Sequence, residues 1–157
     1  MRIRTALSAT FAMLAATLFI TPSAYAAEAG TEGATGAYGC SGSLIDTRNV
    51  WDGTKTLGKL YIYYSSANGG TNCAVVVDTY FGSSVLKYMA VDISRCATSA
   101  CTSTDRTQEQ SDYFYQYAGP VTITGTDGHC ITAGGYIARA SNNAEWGDAT
   151  MPVSHCG

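Results

Sequence analysis

The sequence predicts an all-β fold: a small, disulfide-stapled antiparallel β-sandwich or barrel. Three observations carry that prediction. Short runs rich in Val, Ile, Thr and Tyr alternate with a two-residue period and are separated by Gly, Asn, Asp and Ser turn signals. Past the first segment, no stretch holds a helical period. All 6 cysteines (Cys40, Cys73, Cys96, Cys101, Cys130 and Cys156) lie beyond that segment, and an even count in an exported chain reads as three disulfides. About five or six short strands at hairpin spacing suit a sandwich or barrel.

The chain opens Met-Arg-Ile-Arg, runs apolar through Phe11–Ile20 and reaches Ser23-Ala24-Tyr25-Ala26. A basic start, an apolar run and an Ala-x-Ala site are the parts of a secretory signal peptide. Residues 1–26 are therefore read as a leader cleaved after Ala26. The run is too short for a membrane span and ends at Pro22. No membrane association is expected after cleavage, and the destination is extracellular. Loss of Arg2 and Arg4 takes Lys+Arg from 9 to 7 against 12 Asp+Glu, a net charge of about −5. That balance argues against nucleic acid, which calls for a basic stripe.

Residues 27–39 are small, Gly-rich and without periodicity, so a flexible N-terminal segment is expected. Tyr38 is its one large side chain and a candidate anchor for a partner. Residues 40–157 form a single β-domain. Cys40–Gly58 carries turn signals and Trp51. Leu57–Ser66 alternates, with Leu60, Ile62 and Tyr64 on one face and Tyr61 and Tyr63 on the other. Ala67-Asn-Gly-Gly70 is a hairpin turn. Asn72–Phe81 and Val85–Ser94 follow as strands about the turn Gly82-Ser-Ser84; Lys87 interrupts an apolar face and marks an edge or an end.

Cys96–Gln110 is polar and reads as an excursion between strands, with Cys96–Cys101 as a local staple. The other four cysteines allow three pairings, of which shorter loops favour Cys40–Cys73 and Cys130–Cys156. A zinc site is the competing reading, but C-x-x-C spacing is missing. Asp112–Gly125 reads as a strand, a Gly119-Pro120 break and a second strand. Tyr113, Tyr115 and Tyr117 fall on one face and form a candidate partner-binding surface. His129–Ala140 is a further strand, in which Gly134-Gly135 marks a bulge or a close backbone approach. Ser141–Asp148 is polar with Trp146, and Cys156 ties down the last residues.

Chemistry-bearing motifs are scarce. His129 and His155 each adjoin a framework cysteine, and no G-x-S-x-G pattern accompanies them. Asp78, Asp92, Asp112 and Glu145 are scattered and read as solvated strand or loop positions. No catalytic residue, metal ligand or cofactor is expected. Tyrosine is abundant, 11 in all, and tyrosine suits protein interfaces and sugar stacking.

The blocks Gly58-Lys-Leu-Tyr-Ile-Tyr-Tyr-Ser-Ser66, Gly70-Thr-Asn-Cys-Ala-Val-Val-Val77, Tyr117-Ala-Gly-Pro-Val121, Gly128-His-Cys-Ile131 and His155-Cys-Gly157 resemble the spore-associated-protein family of small exported actinobacterial proteins. The resemblance spans Cys40 to the end, with the Cys96–Cys101 loop as an addition, and it implies no catalytic residue. The chain is also similar in type to the adaptor subunit of the umbrella-shaped toxin particles of streptomycetes. That second resemblance implies partners: a lectin subunit, docked by the N-terminal segment, and a large toxin chain. The expected function is accordingly a secreted non-enzymatic adaptor. The alternatives are a spore- or hypha-surface structural protein, a carbohydrate-binding module using Trp51, Trp146 or the tyrosine faces, and a protease inhibitor presenting the Cys96–Cys101 loop.

Overall fold

Eight strands account for most of the domain in the computed structural model, which describes residues 37–140 and 145–157. The expected leader, and residues 27–36 of the expected flexible segment, lie outside the described residues. After a single 3-10 turn at Ala37–Gly39 come β1 (Ser43–Trp51), β2 (Thr56–Ser65), β3 (Thr71–Asp78), β4 (Lys87–Cys96), β5 (Thr104–Phe114), β6 (Tyr117–Thr124), β7 (Ile131–Arg139) and β8 (Trp146–Ser154). They pair antiparallel in the order β5-β4-β7-β8-β1-β2-β3-β6.

The β1–β8 ladder is a single residue pair, Trp51 with Asp148. The sheet is thus two four-stranded leaves hinged at that pair and folded face to face into a nearly closed barrel. Leu60, Ile62 and Val76 of one leaf meet Met89, Val91, Ile93, Ile137 and Met151 of the other. Burying each such side chain contributes roughly 1.5–3 kcal/mol. The leaves approach closely at Gly135, where a Cβ would stand 2.4 Å from Val76 Cγ2, and at Gly58, where one would stand 2.4 Å from Ile137 Cδ1. Gly134 points outward, with its Cβ position 2.4 Å from Asp92 Oδ1. The ladder to β4 is continuous here, so this glycine pair marks a close approach on both faces and not a bulge.

Opposite the hinge, β5 and β6 face each other across a seam closed by side chains. Gly119 N donates to Gln110 Oε1 (2.6 Å), Arg106 Nη1 to Thr124 O (3.2 Å) and Arg95 Nη1 to Gly125 O (2.6 Å). The inward positions of β5 are Arg106, Gln108, Gln110 and Asp112. They are too polar for the core, and two of them reach instead onto the free backbone edge of β6.

Three sequence expectations are corrected. The second half of Cys96–Gln110 is strand, not an excursion. Every β5 residue from Thr104 to Tyr113 is exposed, so no apolar alternation announces it and the ladder to β4 alone holds it. β1 and β8 raise the strand count above the five or six expected. The inward residues of β8 include the small Gly147 and Ala149, which carry little hydrophobic signal. Finally, Gly119-Pro120 does not separate two strands: β6 runs through it, with a cis peptide bond and a register shift opposite Ala74–Val76. Proline's missing donor is tolerated because β6 is an edge strand. The true break is Tyr115–Gln116, so Tyr113, Tyr115 and Tyr117 belong to β5, a turn and β6.

The disulfides are Cys40–Cys73, Cys96–Cys101 and Cys130–Cys156, the pairing that short loops favour. Because strands alternate in direction, all three lie toward one end of the barrel, with the β2–β3, β4–β5 and β6–β7 loops. The other end carries the β1–β2, β3–β4, β5–β6 and β7–β8 connections.

Candidate functional site: the aromatic end

Among the described residues, six of the seven large apolar side chains that are exposed gather at the end away from the disulfides: Trp51, Tyr80, Leu86, Tyr113, Tyr115 and Trp146, with Val153 elsewhere. Soluble monomers seldom leave such residues contiguous without a use for them. Register explains the grouping. Tyr113 sits opposite Tyr88, Tyr88 opposite Ala138, and Ala138 opposite Trp146, while Tyr136 sits opposite Ala90. The two alanines leave room for large neighbours to meet diagonally. Tyr113, Tyr88, Tyr136 and Trp146 therefore run across the outer face of β5-β4-β7-β8 with centroids 5.6, 6.2 and 6.0 Å apart.

A cleft of about 440 Å³ opens beside this row, lined by Tyr38, Val77, Tyr80, Tyr115 and Tyr117 among others. Tyr38 lies stacked on Tyr61 at 5.9 Å and tilted against Tyr117 at 5.5 Å. Ala37–Cys40 thereby covers the outer face of β2-β3-β6, where Tyr63, Val75 and Val77 form a second apolar cluster around Cys40–Cys73. This cover is why β3 is buried on both faces. Of the four tyrosines expected to bind a partner, Tyr38, Tyr115 and Tyr117 meet in the cleft, and Tyr113 starts the neighbouring row.

The cleft's walls converge on one buried cation. Lys87 is fully buried, and its Nζ donates to Asp78 Oδ2 (2.9 Å), Gly82 O (2.8 Å) and Tyr115 O. Asp78 also accepts the backbone N–H groups of Tyr80, Phe81 and Gly82. It is thus no solvated strand residue, as the sequence suggested, but the counter-ion that shapes the β3–β4 loop. Lys87 stands at the very start of β4, as its interruption of the apolar face implied.

Ion pairs fix the rest of this end. Lys55 pairs with Glu145 at 2.9 Å and lies 4.6 Å over the Tyr80 ring; Arg139 reaches the same carboxylate at 3.3 Å. The Lys55 ammonium holds the Glu145 carboxyl below its ordinary range. Asp52 is pulled down to about 2 by the N–H groups of Lys55 and Thr54 that close the β1–β2 turn.

Asp92 behaves oppositely. Partial burial, and then the Glu109 carboxylate directly across the ladder, raise its carboxyl above the usual range. Above Gly134 it has no ion-pair partner among the described residues. A raised folded-state value means stability present below the ordinary carboxyl range and lost as pH rises through the shifted one. Asp92→Asn is therefore expected to raise stability at pH 7 by about 0.5 kcal/mol, the scale of a like-charge cross-strand pair. The gain should vanish near pH 3. Urea melts at the two pH values check it; an equal effect at both would show that charge is not its origin.

At the disulfide end a second cleft, about 360 Å³, is lined by Ile45, Tyr64, Asn72, Thr126, Asp127 and His155 among others. There Tyr64 Oη donates to Asp127 Oδ1 at 2.7 Å, and His155 Nε2 stands 3.7 Å from Asp46 Oδ2. His129 Nδ1 is 3.2 Å from Cys96 O. Among the described residues, no group of three His, Cys, Asp or Glu side chains is placed to hold a metal ion.

The chain matches no family model, no curated protein and no solved structure in the comparisons made. The site's meaning therefore rests on its own geometry. Sequence reasoning missed Tyr136 and the Asp92–Glu109 juxtaposition, both of which depend on register. A period-two count from Tyr88 and from Tyr136 would have put each on an outer face, but nothing local says that β4 and β7 are neighbours.

Proposed function

We propose that the protein is a secreted, non-catalytic adaptor of an extracellular protein complex, with its aromatic end as the principal contact surface. The observation that carries this reading is the collection of exposed Trp and Tyr side chains at one end of the barrel, opposite the disulfides. Tyrosine and tryptophan dominate protein contact energies because they bury large area at low entropic cost. Three disulfides suit an oxidising compartment. Among the described residues no helix is long and apolar enough to cross a membrane. Neither histidine has a hydroxyl among its hydrogen-bond partners in the described residues, which favours binding over acyl-transfer chemistry. The cleft and the row face away from different leaves, so one small domain can engage two partners.

The test is recovery of the protein from its native culture medium by size-exclusion chromatography with mass spectrometry. Co-elution with two other polypeptides in fixed stoichiometry is expected. Tyr115→Ser/Trp146→Ser should lose at least one of them by tenfold or more while keeping its melting temperature. Recovery of the wild-type chain solely as a free monomer, in the medium and on washed cells alike, would overturn the adaptor reading.

A further inference from the structure

The aromatic row carries a charge signature that the cleft lacks. On the same outer face, Asp92 and Glu109 sit opposite each other, and Asp148 sits opposite Tyr136. None of the three has an ion-pair partner among the described residues. The cations near the row are committed elsewhere: Lys55 and Arg139 to Glu145, Lys87 to Asp78, Arg95 to Asp105. Like charges opposed on a ladder lower stability, and here they stand beside rings whose faces attract cations. The rings do not form one flat platform. Tyr88 meets Tyr113 at 72° and Tyr136 at 68°, and only Tyr136 and Trp146 come near parallel, at 25°. Edge-to-face rings leave slots for a planar guanidinium or an alkyl-ammonium stem, whereas a run of sugar rings favours coplanar ones.

We propose that this face docks a basic segment of a partner protein, whose Arg and Lys side chains lie against Tyr88, Tyr136 and Trp146 and reach Asp92, Glu109 and Asp148. The inference rests on the adaptor reading and gives one of its partners a chemistry. A face bearing three uncompensated carboxylates complements such a segment; the Lys87-centred cleft, whose buried charges are already paired, does not.

The test uses the folded, disulfide-intact protein and the capped peptide acetyl-(Arg-Gly)4-amide, read by backbone amide NMR and Trp fluorescence. Amide shifts confined to β4, β7, β8 and the facing part of β5 are expected, with binding that weakens as salt is raised. Glu109→Gln alone, at an exposed position, should weaken binding about threefold, and Asp92→Asn/Glu109→Gln/Asp148→Asn at least tenfold. Tyr136→Leu/Trp146→Leu keeps every charge and should still lose at least fivefold, which general attraction of a polycation to an acidic protein cannot produce. Unchanged affinity in that aromatic variant, shifts scattered over the surface, or chitohexaose moving these amides while the peptide does not, would each overturn the proposal. The two readings fail separately. If the native complex persists but the peptide is silent, the basic partner falls and the adaptor stands. If the protein is always a free monomer, the adaptor falls whatever the peptide does.

Discussion

Lys87→Met is expected to destabilise the protein by about 3 kcal/mol or more, at the lower end of what removing one member of a buried ion pair costs. The side chain is fully buried, and its Nζ holds three acceptors from three separate places: Asp78, Gly82 and Tyr115. Methionine fills the same volume but leaves the Asp78 carboxylate buried without its counter-ion and the Tyr115 carbonyl without its donor, while Gly82 O keeps the Val85 N–H (3.2 Å). The three backbone N–H groups on Asp78 keep the loss from running higher. Chemical denaturation should show a lower midpoint at unchanged slope. Adding Asp78→Asn should return part of the loss, because an uncharged amide is less costly to bury than an unpaired carboxylate. A change below about 1 kcal/mol would mean that water compensates the carboxylate as well as the ammonium does, as at surface pairs. The consequence for function is local. Tyr115 is held by its carbonyl on Lys87, so the variant should also loosen the cleft wall and weaken partner capture beyond the fraction unfolded.

The legibility of this fold in its sequence follows from where each strand lies. β4 and β7 alternate core-facing Met, Val, Ile and Ala with outward residues, and β2 and β3 carry dense Leu, Ile, Tyr and Val, β3 being buried on both faces, so their runs are visible without any structure. β5 has no buried residue between Thr104 and Tyr113; its existence depends on β4 and on side chains that reach the β6 edge. β8 hides behind the small Gly147 and Ala149; at Gly147 the hinge comes close, and a Cβ there would stand 2.8 Å from the Trp51 carbonyl carbon. The site was legible by residue type and not by place. Tyr38, Tyr113, Tyr115, Tyr117, Trp51 and Trp146 could all be picked out as unusual. Their meeting at one end follows from strand direction, and the row through Tyr136 from non-local pairing, and neither is local information.

That polarity has a physical logic. Covalent links near the β2–β3, β4–β5 and β6–β7 loops constrain the end that, among the described residues, exposes Val153 but no aromatic side chain from that group. The opposite end then depends on the hinge pair, on Lys87 and on the Lys55–Glu145–Arg139 network. A contact surface assembled at the β1–β2, β3–β4 and β5–β6 connections and the start of β8 benefits from being held by polar cross-links instead of apolar burial, because the aromatic groups are then left available outside. It also places the weakest backbone joint, the single Trp51–Asp148 pair, directly under the proposed contact face.

Replacing Cys40 and Cys73 together by alanine is expected to lower stability by about 3–4 kcal/mol, the chain-entropy cost of losing a cross-link that closes a loop of this size. The two residues are 33 apart in sequence. The Cys96–Cys101 bridge, with a separation of 5, should cost only about 2 kcal/mol by the same reasoning. Cys40 and Cys73 are also both buried, at 2% and 1% exposure, in the cluster with Tyr63, Val75 and Val77. Releasing Cys40 frees Ala37–Gly39 to leave that face, and Tyr38 then no longer covers Tyr61 and Tyr117. Two readouts separate the effects. The thermal midpoint reports the loss of cross-linking, and amide exchange along β3 reports the loss of cover. In the Cys40/Cys73 variant, protection should fall first at Val75 and Val77, whose side chains point outward, before global unfolding. In a Cys96→Ala/Cys101→Ala control, β3 should keep its protection. If both variants melt together and leave β3 exchange alike, the N-terminal turn adds nothing to the tether, and Tyr38 would then be as available to a partner as the exposed tyrosines beside it.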